Sequence, residues 1–454
     1  MGVHVFTGPT AAGDTAREMV PGCSIHPPAQ HGDFIRNEFA AGDIVVLIDG
    51  LYHGNPPIRH KEILDAIARG VSMIGASSMG ALRAAELHQF GMMGVGRIFE
   101  DYRDGRIEAD DEVAVLHTEG PEWKVLSEAL VNMRYTLELA RQAMVVSPFE
   151  EEQLLEAARS LHYPRRSWRA VERACENDQS LREAARRVLQ FDEEAGCAGN
   201  LKYQDACAGL RYAQALSESA VPVKAPSQQV SWPKGWRTTY LGKWQHDFTG
   251  TSVYDRFVSK ASQFDYQRLF GYDQVQRWRR YVLSVMADLP PDVPLDDLEE
   301  QALTAAAAAH LGADSIPDGR AEHWLTESEK QELSSPQQLL AVLVRSSRLT
   351  ANLRDERSAR WLLPQEEHIF ELISSSLHIN EQVVLTSFSK HIDHLKQSVL
   401  ERHLRVLWDL ETNAGSPELD AAARDRGFAS GSEAAEALRP FFLKDHNDRL
   451  RNGA

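Results

Sequence analysis

The sequence predicts an α/β N-terminal domain built on a small parallel sheet, followed by mostly α-helical regions. Three observations carry that expectation. Residues 1–118 alternate short apolar runs with helix-forming stretches; the run Ile44-Val45-Val46-Leu47-Ile48 is continuous and bounded by Asp43 and Asp49-Gly50; beyond Trp123 apolar residues recur at steps of three and four. A continuous β-branched run fits a strand buried on both faces, and strand–helix alternation fits parallel crossovers.

The elements follow in order. Val3 to Thr7 reads as a strand ending at Gly8-Pro9-Thr10, and a helix-like segment around Asp33–Ala40 leads into the buried run. A helix over about Arg59–Arg69 places Ile63, Leu64 and Ile67 on one face and stops at Gly70. Another strand, Val71–Ala76, precedes Met79-Gly80-Ala81-Leu82-Arg83-Ala84-Ala85-Glu86-Leu87, a stretch of strong helix formers. A further strand is expected at Glu112–His117. Leu126, Leu130, Met133, Leu137, Ala140 and Met144 form the stripe of an amphipathic helix, and helical segments continue to about Glu218. Val221–Gly235 holds three prolines and no periodicity, so it reads as a linker. The expected division is an α/β core over 1–122, a helical extension over 123–220, a linker over 221–235 and a C-terminal helical domain over 236–454. Within that last domain breaks are expected near Leu289-Pro290-Pro291 and Gly415–Pro417, and Ala305–Ala309 reads as helix.

Bulk properties exclude several classes. The chain has 454 residues and a formal charge of −17, from 66 acidic against 49 basic residues. Such an acidic protein has little to drive counterion release from a phosphate backbone, so no nucleic acid is expected; the charge suits a basic protein partner. The longest strongly apolar run, Ile44–Ile48, is far too short for a membrane span. The opening MGVHVFTGPT lacks a charged region followed by an apolar one, so no secretory signal is expected and the location reads as cytoplasmic. Cys23, Cys175, Cys197 and Cys207 have neither metal-ligand nor disulfide-framework spacing. His391 and His394, with His403 beyond, lack a matching third ligand, so no metal is expected there, and no cofactor anywhere.

The chemistry concentrates at Gly75-Ala76-Ser77-Ser78-Met79-Gly80. A buried strand ends, a turn of small residues follows and a helix begins; Ser78 has Ala76 two before it and Gly80 two after. That is close to the small-x-Ser-x-Gly turn that exposes a nucleophilic hydroxyl, with the helix N-terminus suited to a developing oxyanion. The alternative is that Ser77 or Ser78 only caps the helix. Lys61, early in the preceding helix, shares the carboxyl edge of the sheet with Ser78 in a right-handed crossover, and a partly desolvated lysine can act as base to a serine. Asp49 ends a buried strand at the same edge. The acids Asp110-Asp111-Glu112 could bind a metal, orient Arg83 or Lys61, or simply solvate a strand. His117, on the apolar side of its expected strand, reads as a core histidine.

These residues also carry a resemblance. His60-Lys61-Glu62-Ile63-Leu64, Gly75 through Leu87, Phe90-Gly91-Met92-Met93-Gly94-Val95-Gly96, and Asp110-Asp111-Glu112-Val113-Ala114-Val115 with His117 resemble, in order and spacing, the core motif of the TfuA family. The resemblance implies an accessory of YcaO enzymes in peptide backbone thioamidation. It implies hydrolysis of the C-terminal thiocarboxylate of a ThiS-like sulfur carrier protein, releasing sulfide to the YcaO partner and helping it engage its precursor peptide. The implied Ser–Lys pair falls on Ser78 and Lys61. Met79, Gly80, Gly8 and Thr10 are expected to support the oxyanion, with Asp49, Arg83 and Asp111 as further site residues. The competing expectation is a non-catalytic adaptor that docks YcaO and its peptide.

Overall fold

The computed structural model describes residues 1–52, 54–118, 120, 122–219, 238–312, 323–347, 356–363, 366–386, 391–411 and 416–452. The chain divides into two compact units, Met1–Thr238 and Thr239–Ala454. The expected linker, 221–235, lies outside the described residues.

The first unit holds a parallel sheet of β1 (Val3–Phe6), β2 (Ser24–His26), β3 (Ile44–Leu47), β4 (Ser72–Ala76) and β5 (Met93–Val95), in the spatial order β2-β1-β3-β4-β5. The helices α1 (Gly13–Met19), α2 (Asp33–Arg36), α3 (His60–Ala68), α4 (Met79–Leu87) and α5 (Arg97–Arg103) make the connections. Residues Ile44 to Ile48 are all essentially inaccessible, as a doubly covered strand requires. Their side chains alternate: Val45 and Leu47 join Ile63, Ile67, Ala81 and Ala84 of α3 and α4, whereas Ile44, Val46 and Ile48 join Ala16 of α1 and Ala206, Leu210 and Ala213. Those last three belong to α10 (Leu201–Glu218), which follows a helical group α6 (Leu130–Gln142), α7 (Pro148–Ser160), α8 (Trp168–Ala174) and α9 (Gln179–Ala195) with its own core around Leu137, Trp168 and Val188. The helical extension thus returns to cover the second face of the sheet.

Two expectations need correction. Glu112–His117 is not a sheet strand: Asp110–Glu112 form a 3-10 turn, and the extended stretch after it makes only an isolated bridge, His117 to Val125. The helix around Asp33 is one turn, Asp33–Arg36. The short strands β2 and β5 complete the sheet instead.

The second unit is helical among its described residues, apart from an antiparallel hairpin, β6 (Gly250–Val253) with β7 (Arg256–Ser259), that the sequence pattern did not suggest. Its helices break between Ala287 and Leu295, around Pro290-Pro291, as expected. The other expected break begins at residue 415, and 412–415 lie outside the described residues. No described helix is long and apolar enough to cross a membrane.

One contact sets the β4–α4 junction. A Cβ on Gly80 would fall 1.8 Å from the Leu47 carbonyl oxygen, and one on Gly75 would fall 2.2 Å from the Gly80 carbonyl oxygen. The Gly80 N–H donates to the Ile48 carbonyl at 3.1 Å, so α4 is seated directly on the end of β3. Gly80→Ala must push backbone from backbone, and a loss of about 3 kcal/mol is expected from such overpacking. Urea unfolding measures it, and a wild-type midpoint would contradict this account of the junction.

Candidate functional site

The strand order reverses between β1 and β3, and in doubly wound sheets ligands bind at that point, beyond the carboxyl ends of the strands. Asp49, directly after β3, is 2% exposed and spans the reversal. Its Oδ2 accepts from the backbone N–H of Gly8 at 2.9 Å and of Thr10 at 3.0 Å, and its Oδ1 accepts from Thr10 Oγ1 at 2.6 Å. A buried carboxylate is tolerated when donors converge on it in this way. Gly8 and Thr10 therefore hold Asp49, and these amides are not free to serve an oxyanion. The Gly80 amide is spent on Ile48 as well. Met79, at the first helical position, keeps an N–H without an acceptor among the described residues, as helix starts do.

A cavity of about 590 Å³ opens above this edge, with Asp49, Ser78, Met79, Tyr52, Asp110 and His117 in its wall. Ser78 is nine-tenths buried and starts α4, yet its side chain makes no capping hydrogen bond. Its hydroxyl has no partner among the described residues, so the capping alternative does not describe it. The preceding residue explains the orientation. Ser77 is fully buried at φ +66°, and its own Oγ has no partner. Left-handed backbone at a non-glycine residue is strained, and here it turns the chain sharply between β4 and α4.

The acidic cluster is spread over three jobs. Asp110 accepts from the Tyr52 hydroxyl at 2.7 Å across the cavity, and that bond is the main cause pushing the phenol up to about 12. Asp111 is held away from the cavity by the buried Arg166, which donates to its carboxylate at 2.6 Å and to its carbonyl at 2.7 Å. Glu112 pairs with Arg134 at 2.7 Å. Arg83 also points elsewhere: it donates to Glu86 at 2.6 Å and to the Ile58 carbonyl at 3.3 Å. Lys61 is the second residue of α3, partly buried, and is not among the residues of the cavity wall. Its neighbours are committed, His60 to Glu86 at 2.7 Å and Glu62 to the Gly32 N–H at 2.8 Å. Burial pushes the Glu62 carboxyl up to about 8.

Two site residues lie where the sequence did not suggest. His117 stands in the cavity wall rather than in a core, because its segment is not part of the sheet. Lys202, in the first turn of α10, is 4% exposed and donates to the Val113 carbonyl at 2.8 Å. Burial pulls its amine down from the usual lysine range, against the opposing pull of Asp49 and Glu128. Nothing in the local sequence marks Lys202, because only the docking of α10 brings it to the sheet edge.

Fold and site together define a doubly wound α/β protein whose switch-point cavity presents one unpartnered serine at a helix start. Within it, residues 49–167, about a quarter of the chain, match the family model for TfuA-like proteins. The chain carries a TfuA-like domain over those residues, and the match supports a thioamidation-related accessory role at the level of the family. A search of curated proteins finds no match to the chain.

Asp49→Asn tests the foundation of the site. An amide cannot accept from all three donors, so a loss of about 2 kcal/mol is expected from the unmet N–H or hydroxyl. Denaturant unfolding reads the change, and an unshifted midpoint would show that Asp49 does not hold the Gly8–Thr10 loop.

Proposed function

We propose that the protein is an accessory of YcaO-dependent peptide backbone thioamidation, hydrolysing a thiocarboxylated ThiS-like carrier so that sulfide reaches the YcaO enzyme. The observation that carries the reading is the Ser78 hydroxyl: buried, without a partner among the described residues, and in the wall of a cavity at the sheet's switch point. In this reading Ser78 attacks the thiocarboxylate carbon, an acyl-enzyme forms, sulfur departs, and water clears the acyl group. The Met79 N–H is the backbone donor for the oxyanion. Lys61 enters as the lysine that the family resemblance pairs with Ser78, acting from the start of the crossover before β4.

The partners in this reading are the YcaO enzyme, the carrier protein and, through YcaO, the precursor peptide. All are cytoplasmic, and the net charge of −17 favours docking on a basic surface.

Sulfide release from purified thiocarboxylated carrier tests the reading. Ser78→Ala is expected to lower the rate to the uncatalysed background, a loss of at least about 1,000-fold for removal of a nucleophile, with unchanged thermal unfolding and retained co-purification with YcaO. Lys61→Ala, assayed in parallel, tests the pairing separately. A Ser78→Ala protein with the wild-type rate would leave a non-catalytic adaptor as the surviving role.

A further inference from the structure

We infer that His117 is the acid–base residue of the Ser78 cavity. The inference rests on Ser78 as nucleophile and supplies the proton carrier that this chemistry needs.

The argument begins with the ring. The His117 Nδ1–H donates to the Thr118 carbonyl at 2.9 Å, which fixes the proton on Nδ1 and leaves Nε2 as an acceptor. Nε2 has no partner among the described residues. The ring is steadied edge-on against Trp123, centroid to centroid 5.3 Å, and both residues belong to the wall that contains Ser78. A backbone carbonyl on one nitrogen and an open lone pair on the other is the arrangement that orients an imidazole for proton transfer.

The other titratable residues of the wall are Asp49, Tyr52, Asp110 and Tyr163. Asp49 is held by three donors, and Tyr52 and Asp110 are bonded to each other. A tyrosine phenol gives up its proton too reluctantly to cycle near neutral pH, whereas imidazole does so readily. His117 thus combines the right chemistry with an uncommitted atom.

The proton inventory closes. His117 Nε2 takes the Ser78 hydroxyl proton as Oγ bonds to the thiocarboxylate carbon. As the C–S bond breaks, the proton passes to sulfur, which leaves as hydrosulfide. Water then adds to the acyl carbon; Nε2 takes one of its protons and returns it to Ser78 Oγ as the ester bond breaks. The carrier leaves as a carboxylic acid, which ionises. No oxidant or reductant is required.

The test is the pH–rate profile of sulfide release by full-length wild-type, His117→Ala, His117→Gln and Lys61→Ala proteins, with Ser78→Ala as control and folding checked by thermal unfolding. His117→Ala is expected to lose about 100-fold or more in kcat, to lack the acid limb of the profile, and to recover part of its rate with added imidazole. His117→Gln, which preserves bulk and polarity, should be equally slow and covers the case in which the alanine variant does not fold. Wild-type rates in either His117 variant overturn the inference. So does a slow variant that keeps its acid limb and gains nothing from imidazole, or an acid limb that vanishes in Lys61→Ala instead. Wild-type turnover by Ser78→Ala would reject the nucleophile, whatever the His117 variants do, and a wild-type protein inert toward the carrier would reject both.

Discussion

The buried carboxylate of Asp49 is the interaction on which the site depends. It sits at the end of β3, where the strand order reverses, and three donors from the turn after β1 close around it. A charge in that position has a large desolvation cost unless every lone pair is used and a counter-charge is near. Lys202, also buried, feels that charge, which opposes the downward push of burial on its amine. Lys202 in turn donates to the carbonyl of Val113, a residue of the cavity wall.

That arrangement also says how much of the chain the site requires. The family match starts at residue 49, after β3, so it excludes β1, the Gly8–Thr10 turn and the strand that α4 rests on. It ends at residue 167, before α10. Yet α10 supplies Lys202, covers one face of β3 and β4, and caps α5 through Asp205, whose carboxylate accepts from the Arg97 and Ile98 amides at 3.1 and 2.7 Å. A Cβ on Gly96 would meet that carboxylate at 2.3 Å, so the loop was shaped around it. The site is therefore built by the whole first unit, and the matched segment supplies only part of it.

The parts that sequence made legible are those governed by local chemistry. The buried run of β3, the amphipathic α3 and the Gly75–Gly80 junction each state their own environment, because a doubly covered strand admits only apolar residues and a backbone contact admits only glycine. The strands β2 and β5 are three residues each, too short to show a period, and Gly94 interrupts the second. The stretch after Glu112 misled for a different reason. Its alternation of valines is real, and Val113 and Val115 do pack on the core, but the segment joins no strand of the sheet and also lines the cavity. A pattern of side chains reports burial, not which backbone will pair, and that is why His117 reads as a core residue in the sequence.

Ser77 shows how the fold gives Ser78 its freedom. A serine at the start of a helix ordinarily bends its hydroxyl back to the second or third amide, satisfying both groups. In this chain the left-handed residue comes immediately before it, and Ser78 takes φ −80° and ψ −122°, outside the usual extended cap geometry. The strain at Ser77, of order 1–3 kcal/mol, and its unpaired buried hydroxyl are both unfavourable, and neither serves stability. They persist because Gly75 and Gly80 let β4, α4 and β3 pack to backbone contact around the turn. What that packing secures is a hydroxyl that the helix does not use, in the wall of a cavity shared with a histidine whose Nε2 has no partner among the described residues.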